Sequence, residues 1–347
     1  MKGIRSVGIT GVGSYAPEKV LTNFDLEKMV DTTDEWIVSR SGIRERHIAS
    51  EEKSTSDLAC DASIRAMKDA GVKPEDIDLI IMATVSPDKI VPSTACIVQG
   101  KLGCVNAGAF DVMAGCTGFI YALSVARQMV ATGSNNTVLV IGADLLSKLT
   151  DWEDRNTCVL FGDGGGAAIV QPVEEGYGLI DHIVGAKGLG HLCIEIPAGG
   201  TFMPATHKSI DDRQHYIKML GKEVFKFAVK TIEKTTVELA EKTGIPIDKI
   251  KLIVPHQANS RIMDAGKKRL KLADGVMYSN LEKYGNTSAG TIPLALADAL
   301  ADGKINKGDY VMLVGFGAGL TNGAIIMKWA YEVNQPEKRY AVRGAVQ

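Results

Sequence analysis

The sequence contains one apolar pattern twice, once in each half, and this repeat limits the chain to few folds. GVKPEDIDLIIMATVSPD at 71–88 resembles GIPIDKIKLIVPHQAN at 244–259. Each stretch is followed, after nearly the same interval, by a second apolar run and then by a glycine-rich segment, FGDGGGAAIVQPV or GAGLTNGAIIMKW. We therefore predict a duplicated α/β unit, with halves at residues 1–174 and 175–347 that pack as one body.

The elements within each half alternate between strands and helices. Four short β-branched runs are typical of buried strands: 77–84, 137–143, 250–256 and 310–316. Two longer apolar patterns between such runs indicate helices, at 117–133 and 292–305. This alternation favours an α/β fold.

Charge and apolar patterning exclude several classes of partner. A net charge of −2 over 347 residues provides no overall basic surface for nucleic acid. No run approaches the roughly 18 apolar residues that a membrane helix needs. The N-terminal MKGIRSVGIT also lacks the apolar core of a secretory signal. We expect a cytoplasmic protein that binds neither nucleic acid nor membrane.

Cofactor motifs are weak in this chain. The six cysteines form no C-x-x-C pair, and the six histidines form no H-E-x-x-H motif, so we predict no metal site. GVGSYA at 11–16 loosely matches a dinucleotide loop, but Pro17 ends the helix that would receive the pyrophosphate. FGDGGGAA at 161–168 lacks the Lys-Ser/Thr of a phosphate loop. No cofactor is expected.

Cys116 stands in DVMAGCTGF, between a strand-like stretch and the apolar helix pattern. A thiol at the start of a helix lies near the positive end of the helix dipole, which lowers its pKa and favours the nucleophilic thiolate. Gly115 would allow the tight turn that such an elbow requires. An inert buried thiol at a turn is the alternative interpretation.

Two further polar residues lie at corresponding places in the second half. His256 follows the predicted strand in VPHQANSRI, and Asn286 lies in the small-residue loop YGNTSAGTIP before a predicted helix. Catalytic groups collect at the carboxyl ends of strands in α/β sheets. Each residue alone could be structural, His256 as a hydrogen-bonded core group and Asn286 as a loop cap.

Taken together, the motifs resemble the β-ketoacyl-acyl carrier protein synthase III family of thiolase-like condensing enzymes. TTDEWIVSRSGIRERHIA, GCTGFIYAL, DRNTCVLFGDGGGA, GKEVFKFAV, PHQAN and YGNTSAGTIP occur in the family's order over nearly the whole chain. The resemblance implies a thiolase-like five-layered αβαβα fold built from two duplicated halves. It also implies a homodimer, which the sequence itself does not show.

The resemblance also implies roles for individual residues. Cys116 matches the acylated nucleophile, and His256 and Asn286 match the pair that acts in decarboxylation. Trp36 and Arg155 match the residues that sandwich the adenine of coenzyme A. The other implied coenzyme A contacts are Arg40, Gly221, Phe225 and Asn259. Arg261, with Lys226, Lys268 and Arg269, would contact the acidic carrier protein.

The implied reaction is a decarboxylative condensation of an acyl-CoA primer with malonyl-acyl carrier protein. The backbone N–H groups of Cys116 and Ala318 would hold the oxyanion. The family usually has glycine where this chain has Ala318, so that donor requires a local φ and ψ that suit alanine. Val91 and Phe316 would shape the acyl pocket. Val91 replaces a phenylalanine common in acetyl-preferring members, which predicts tolerance of longer and branched primers.

Other condensing enzymes fit less well. A thiolase would need a second cysteine near VGFGAGL, and elongating synthases have a histidine where this chain has Asn286. A hydroxymethylglutaryl-CoA synthase would need an acidic base before the cysteine, where only Asp111 occurs, on a strand. A paralogue of secondary metabolism with another primer or acceptor stays open. A non-catalytic acyl- or CoA-binding module also stays open, although it would not need all three polar residues.

Overall fold

The computed structural model describes residues 4–332. Its strands are β1 (Val7–Tyr15), β2 (Val20–Thr22), β3 (Glu45–His47), β4 (Leu79–Ala83), β5 (Gly108–Val112), β6 (Val138–Leu145), β7 (Asp163–Pro172), β8 (Gly178–Ala186), β9 (Ile194–Glu195), β10 (Lys218–Met219), β11 (Ile250–Pro255), β12 (Tyr310–Gly317) and β13 (Thr321–Lys328). Its α-helices are α1 (Asn23–Leu26), α2 (Asp34–Ser41), α3 (Thr55–Ala70), α4 (Thr94–Leu102), α5 (Gly118–Ala131), α6 (His207–Asp211), α7 (Gly221–Thr243), α8 (Ser260–Arg269), α9 (Leu281–Tyr284) and α10 (Thr291–Ala301). None of the helices within 4–332 is long and apolar enough to span a membrane.

Two mixed sheets with the same internal pattern form the frame. The first has the strand order β1-β7-β6-β4-β5, and the second has the order β8-β13-β12-β11. In each sheet two antiparallel strands are followed by a parallel pair, β6 with β4 and β12 with β11. This correspondence confirms the duplication inferred from the repeat. Strand β5, at the edge of the first sheet, has no counterpart in the second sheet over the residues described.

The helices pack around the sheets in layers that their patterns explain. Helices α5 and α10 lie between the two sheets and are apolar on most faces, because both of their sides are covered. Helices α3 and α4 cover the outer face of the first sheet, and α7 and α8 cover the outer face of the second. The result is the five-layered αβαβα arrangement that was expected. Residues 1–3 and 333–347, included in the predicted halves, lie outside the described chain.

The segment between β8 and α7 forms one wall of the central cavity. Its two short strands pair with each other, Lys218 opposite Glu195 and Met219 opposite Ile194. The backbone N–H of Ile217 donates to the carbonyl of Leu149 at 2.9 Å, which ties the segment to the first half. Ile194, Ile196 and Ile217 thereby line the cavity.

Candidate active site

Cys116, His256 and Asn286 line one cavity of about 1340 Å³ between the two halves. They come from three different elements, and 140 residues or more separate Cys116 from the other two in sequence. Within residues 4–332 no group of three or more His, Cys, Asp or Glu side chains could hold a metal ion. The cavity therefore presents a thiol, an imidazole and an amide as its central polar groups.

Cys116 lies in a short 3-10 helix, Gly115–Thr117, that joins β5 to α5. Gly115 has φ +56°, in the left-handed region that favours glycine. A Cβ on Gly115 would lie 2.7 Å from the backbone nitrogen of Ala318, and one on Gly317 would lie 2.5 Å from that of Cys116. The two glycines thus allow the backbone segments that carry Cys116 and Ala318 to contact each other. Cys116 thereby lies at the predicted tight turn between strand and helix.

The predicted lowering of the thiol pKa is wrong. Burial raises the pKa of Cys116 to about 12, and the Asp144 carboxylate adds to the rise. The Ser288 hydroxyl and the backbone N–H groups of Cys116 and Ala318 act in the opposite direction. A helix N-terminus supplies at most about 2 kcal/mol. A rise from 9.0 to about 12 corresponds to about 4 kcal/mol, so burial prevails.

Ala318 occupies its position without backbone strain. The non-glycine residues with positive φ in 4–332 are Arg213, Lys271 and Ser288, so Ala318 has an ordinary φ. The condition that the sequence set for a backbone donor at this position is therefore met. The N–H groups of Cys116 and Ala318 both approach the Cys116 sulfur. Two convergent N–H donors are the requirement for an oxyanion hole.

His256 follows β11 directly and is held by backbone and side-chain contacts. Its backbone N–H donates to Val314 of β12 at 2.8 Å. Its side chain is 1% exposed, with Nδ1 2.7 Å from the Thr291 hydroxyl oxygen and the ring edge-on to Phe316. Burial lowers the pKa of His256 to about 3. The imidazole is therefore neutral around pH 7.

Asn286 is oriented so that its amide nitrogen has no hydrogen-bond partner among residues 4–332. Its backbone N–H donates to Leu160 at 2.9 Å, and its carbonyl accepts from Gly162 at 3.1 Å. Its side-chain oxygen Oδ1 accepts from the backbone N–H of Ser288 at 2.9 Å. With Oδ1 occupied in this way, Nδ2 is left to donate to a ligand. Asn286 lines the cavity, and its role in decarboxylation stays a prediction.

The predicted adenine-binding pair is close together but has no gap for a ring. The Arg155 guanidinium lies 5.0 Å from the centre of the Trp36 ring, and the Arg40 guanidinium lies 5.9 Å from it. A ring between two partners needs about 7 Å, since each contact takes about 3.5 Å. Arg155 also donates to Asp31 and does not line the cavity, whereas Trp36 and Arg40 do. Arg155 must swing outward before an adenine could enter.

The other predicted coenzyme A contacts lie at the cavity mouth. Gly221 and Phe225 come from the first turns of α7 and line the cavity. Asn259 also lines it, but both ends of its side chain are used within the protein. Its Oδ1 caps α8 by accepting from Arg261 N–H at 2.9 Å, and its Nδ2 donates to the Arg40 carbonyl at 2.9 Å. Asn259 therefore holds α2 to α8.

The two predicted acyl-pocket residues differ in position. Phe316 is 2% exposed and lines the cavity beside His256. Val91 is 80% exposed and does not line the cavity of its own chain, although its neighbour Ile90 does. Any effect of Val91 on a primer must act across a dimer, as the family loop implies. That role stays a prediction.

The predicted basic surface is only partly available to a partner. Lys226 pairs with Glu223 at 2.8 Å, and Arg269 pairs with Glu233 at 2.7 Å. Arg261 lies over the Phe225 ring at 5.6 Å and lines the cavity mouth, as Lys226 does. Lys268 is exposed and has no ion pair with any residue in 4–332. Exposed ion pairs contribute little to stability, so Lys226 and Arg269 can leave their glutamates for an acidic partner. The surface therefore keeps a basic character.

Asp144 and Ser288 belong to the site but were missed in the sequence. Asp144 is fully buried at the end of β6, where its carboxylate accepts from Val85 N–H, the Ser86 hydroxyl and Ala289 N–H at 2.7–3.0 Å. It thus ties the loop after β4 to the segment that follows Asn286. Ser288 has φ +50°, and its buried hydroxyl acts on both the Cys116 thiol and the Asp144 carboxylate, lowering the pKa of each. An acidic residue ending an apolar run was the available signal for Asp144.

Two family models match successive parts of the chain. A family model described as 3-oxoacyl-[acyl-carrier-protein (ACP)] synthase III matches residues 110–188, which include Cys116. The model for the C-terminal part of the same enzyme matches residues 240–329, which include His256 and Asn286.

Individual relatives cover nearly the whole chain. The β-ketoacyl-[acyl-carrier-protein] synthase III of Caldanaerobacter subterraneus subsp. tengcongensis is 56% identical over 325 residues, covering 94% of this chain and 98% of that protein. The enzyme of the same name from Desulfitobacterium hafniense is 51% identical over 325 residues, with 94% and 98% coverage. The crystal structure of β-ketoacyl-[acyl carrier protein] synthase III from Thermus thermophilus is 46% identical, with a TM-score of 0.87 and coverage of 93% and 99%.

Proposed function

The chain belongs to the β-ketoacyl-[acyl-carrier-protein] synthase III family, and on that premise we propose how its residues divide the reaction. It is an acyltransferase of the condensing type that initiates fatty acid synthesis. The observation that carries the proposal is the meeting of Cys116, His256 and Asn286 in one cavity. The secondary-metabolism and binding-module alternatives are not favoured by relatives 48–56% identical that carry this one name.

Acylation of Cys116 is the proposed first step. The sulfur attacks the thioester carbonyl of an acyl-CoA, and the bond between that carbon and the coenzyme A sulfur breaks. The thiol proton ends on the departing sulfur, which leaves as free coenzyme A. The N–H groups of Cys116 and Ala318 stabilise the tetrahedral oxyanion.

Decarboxylation and condensation follow when malonyl-acyl carrier protein enters. The bond to the carboxylate breaks, carbon dioxide leaves, and the electron pair remains on the α-carbon as an enolate. His256 Nε2 and Asn286 Nδ2 donate hydrogen bonds to the enolate oxygen. The carbanion then attacks the acyl group on Cys116, the carbon–sulfur bond breaks, and the sulfur takes a proton from solvent. Each proposed step uses groups of this chain, its two thioester substrates and a proton from solvent, so no cofactor is included.

The assembly is proposed to be a homodimer. Among residues 4–332 no strand pairs with the outer edge of β5, and Phe110 on that strand is 38% exposed. Ile90, Val91 and Met113 are 82%, 80% and 72% exposed. An open edge beside exposed apolar side chains is usually covered. A monomer mass from light scattering of active enzyme would contradict this proposal. The cytoplasmic location expected from the sequence stays a prediction.

The proposed division of labour is tested by separating acylation from decarboxylation. Cys116→Ala should form no acyl-enzyme in intact-mass spectra after mixing with acyl-CoA. His256→Ala and Asn286→Ala should still acylate, because neither side chain takes part in the first step. Both should lose malonyl decarboxylation by about two to three orders of magnitude, the usual cost of one oxyanion donor.

A matched control is available for the cysteine. Cys96 is exposed on α4 and does not line the cavity, so Cys96→Ala should acylate like the parent. Failure of His256→Ala to acylate, with its fold intact by circular dichroism, would overturn the division of roles.

A further inference from the structure

His256 can donate to an enolate only if its single proton lies on Nε2. The imidazole is 1% exposed and neutral because burial lowers its pKa to about 3, with no charged group contributing to the shift. A neutral imidazole carries one proton, which lies on Nδ1 or on Nε2 according to the partner of the other nitrogen. The partner of Nδ1 therefore decides what His256 can do.

That partner is the hydroxyl of Thr291, the first residue of α10. Its oxygen lies 2.7 Å from His256 Nδ1, and the residue is 2% exposed. The same hydroxyl is also placed to donate to the Ser288 carbonyl, at 3.0 Å. That carbonyl already accepts the backbone N–H of Thr291, so it is satisfied without the hydroxyl proton. The hydroxyl proton thus has two acceptors in reach, and Nδ1, at 2.7 Å, is nearer than the carbonyl.

We propose that Thr291 is a positioning residue: its hydroxyl donates to Nδ1 of His256 and so keeps the imidazole proton on Nε2, toward the cavity. The inference rests on the proposed role of His256. The site is rigid enough for the task, because Thr291 is β-branched and α10 is packed between the two sheets. Phe316 holds the ring edge-on, with 5.0 Å between ring centres.

Three variants test the proposal in enzyme kinetics. Thr291→Val keeps the shape but removes the hydroxyl, and Thr291→Ser keeps the hydroxyl. Thr291→Val should lose about 10- to 100-fold in malonyl decarboxylation, the range typical for groups that orient a functional histidine. Primer acylation should stay within about twofold, and Thr291→Ser should recover most of the loss. Thr235→Val is the matched control, because it removes a buried hydroxyl that donates to the Thr231 carbonyl, away from the cavity.

Nitrogen NMR of ¹⁵N-histidine-labelled protein reads the tautomer directly, and His256→Ala assigns the signal. The parent should show Nε2 protonated and Nδ1 unprotonated, and Thr291→Val should show a mixture. A parent with the proton on Nδ1, or a folded Thr291→Val with parental decarboxylation, overturns the inference. If His256→Ala itself decarboxylates malonyl-carrier protein at the parental rate, the proposed function has failed instead.

Discussion

The neutral, buried state of His256 should make the protein measurably less stable in mild acid. The folded protein keeps the pKa of this imidazole at about 3, whereas the unfolded chain has a pKa of about 6.5. Below pH 6.5 the unfolded state therefore binds a proton that the folded state excludes. The contribution of the neutral imidazole to the free energy of unfolding is fully present above pH 6.5. It is lost as the pH falls toward 3.

The size of this loss follows from the two pKa values. At pH 5.5 protonation favours the unfolded chain by about 1.4 kcal/mol, and at pH 5.0 by about 2 kcal/mol, relative to pH 7.5. Asp25 and Asp151 have pKa values of about 2, so they titrate below this interval. His182, whose pKa burial also lowers, contributes equally to the parent and the variant. The difference between the pH-dependent stability losses of the parent and of a variant without the imidazole therefore reports on His256.

The assay is urea unfolding of the parent and His256→Gln at pH 7.5 and pH 5.0, at one fixed protein concentration. The parent should lose about 2 kcal/mol more than the variant over this interval. His207 is exposed, so His207→Gln should behave like the parent. Equal losses in the parent and His256→Gln would refute the reasoning. If His256→Gln does not fold, an NMR titration of the parent replaces it, and a His256 signal that titrates between pH 7.5 and 5.0 refutes the same point.

Two further predictions concern the substrates. Arg261→Glu should raise the KM for malonyl-acyl carrier protein several-fold, since Arg261 is exposed at the cavity mouth. Acylation by primer-CoA should stay nearly unchanged. Equal loss of activity with both substrates would argue against a carrier contact. Val91→Phe should shift kcat/KM from butyryl- and isobutyryl-CoA toward acetyl-CoA, because one methylene in an apolar pocket is worth about 1–3 kcal/mol. A parent that already rejects both four-carbon primers would contradict the proposed pocket.

Features that depend on short stretches of chain were predictable from the sequence. The strand and helix patterns predicted β4, β6, α5, β11, α10 and β12 close to their actual bounds. The repeat predicted two sheets of one pattern, and the positions of Cys116, His256 and Asn286 after strands or before helices placed them at the site. These features can be read from the sequence because apolar periodicity and turn residues act over a few neighbouring positions.

Features that depend on burial and on distant partners were decided only by the tertiary structure. The thiol pKa of Cys116 rises because the fold encloses the sulfur, which its neighbours in sequence do not reveal. The Arg155 guanidinium lies against the Trp36 ring. The Asn259 side-chain amide is hydrogen-bonded to the backbone of Arg40 and Arg261.

The sequence by itself thus determined which chemical groups this protein has and at which ends of its strands and helices they lie. Only the tertiary structure decided their protonation and their hydrogen-bond partners. Asp144 accepts from Ala289, 145 residues away, and His256 contacts Thr291 across 35 residues. Desolvation and side-chain hydrogen bonding arise from whatever the fold brings within a few ångströms, so no local pattern records them.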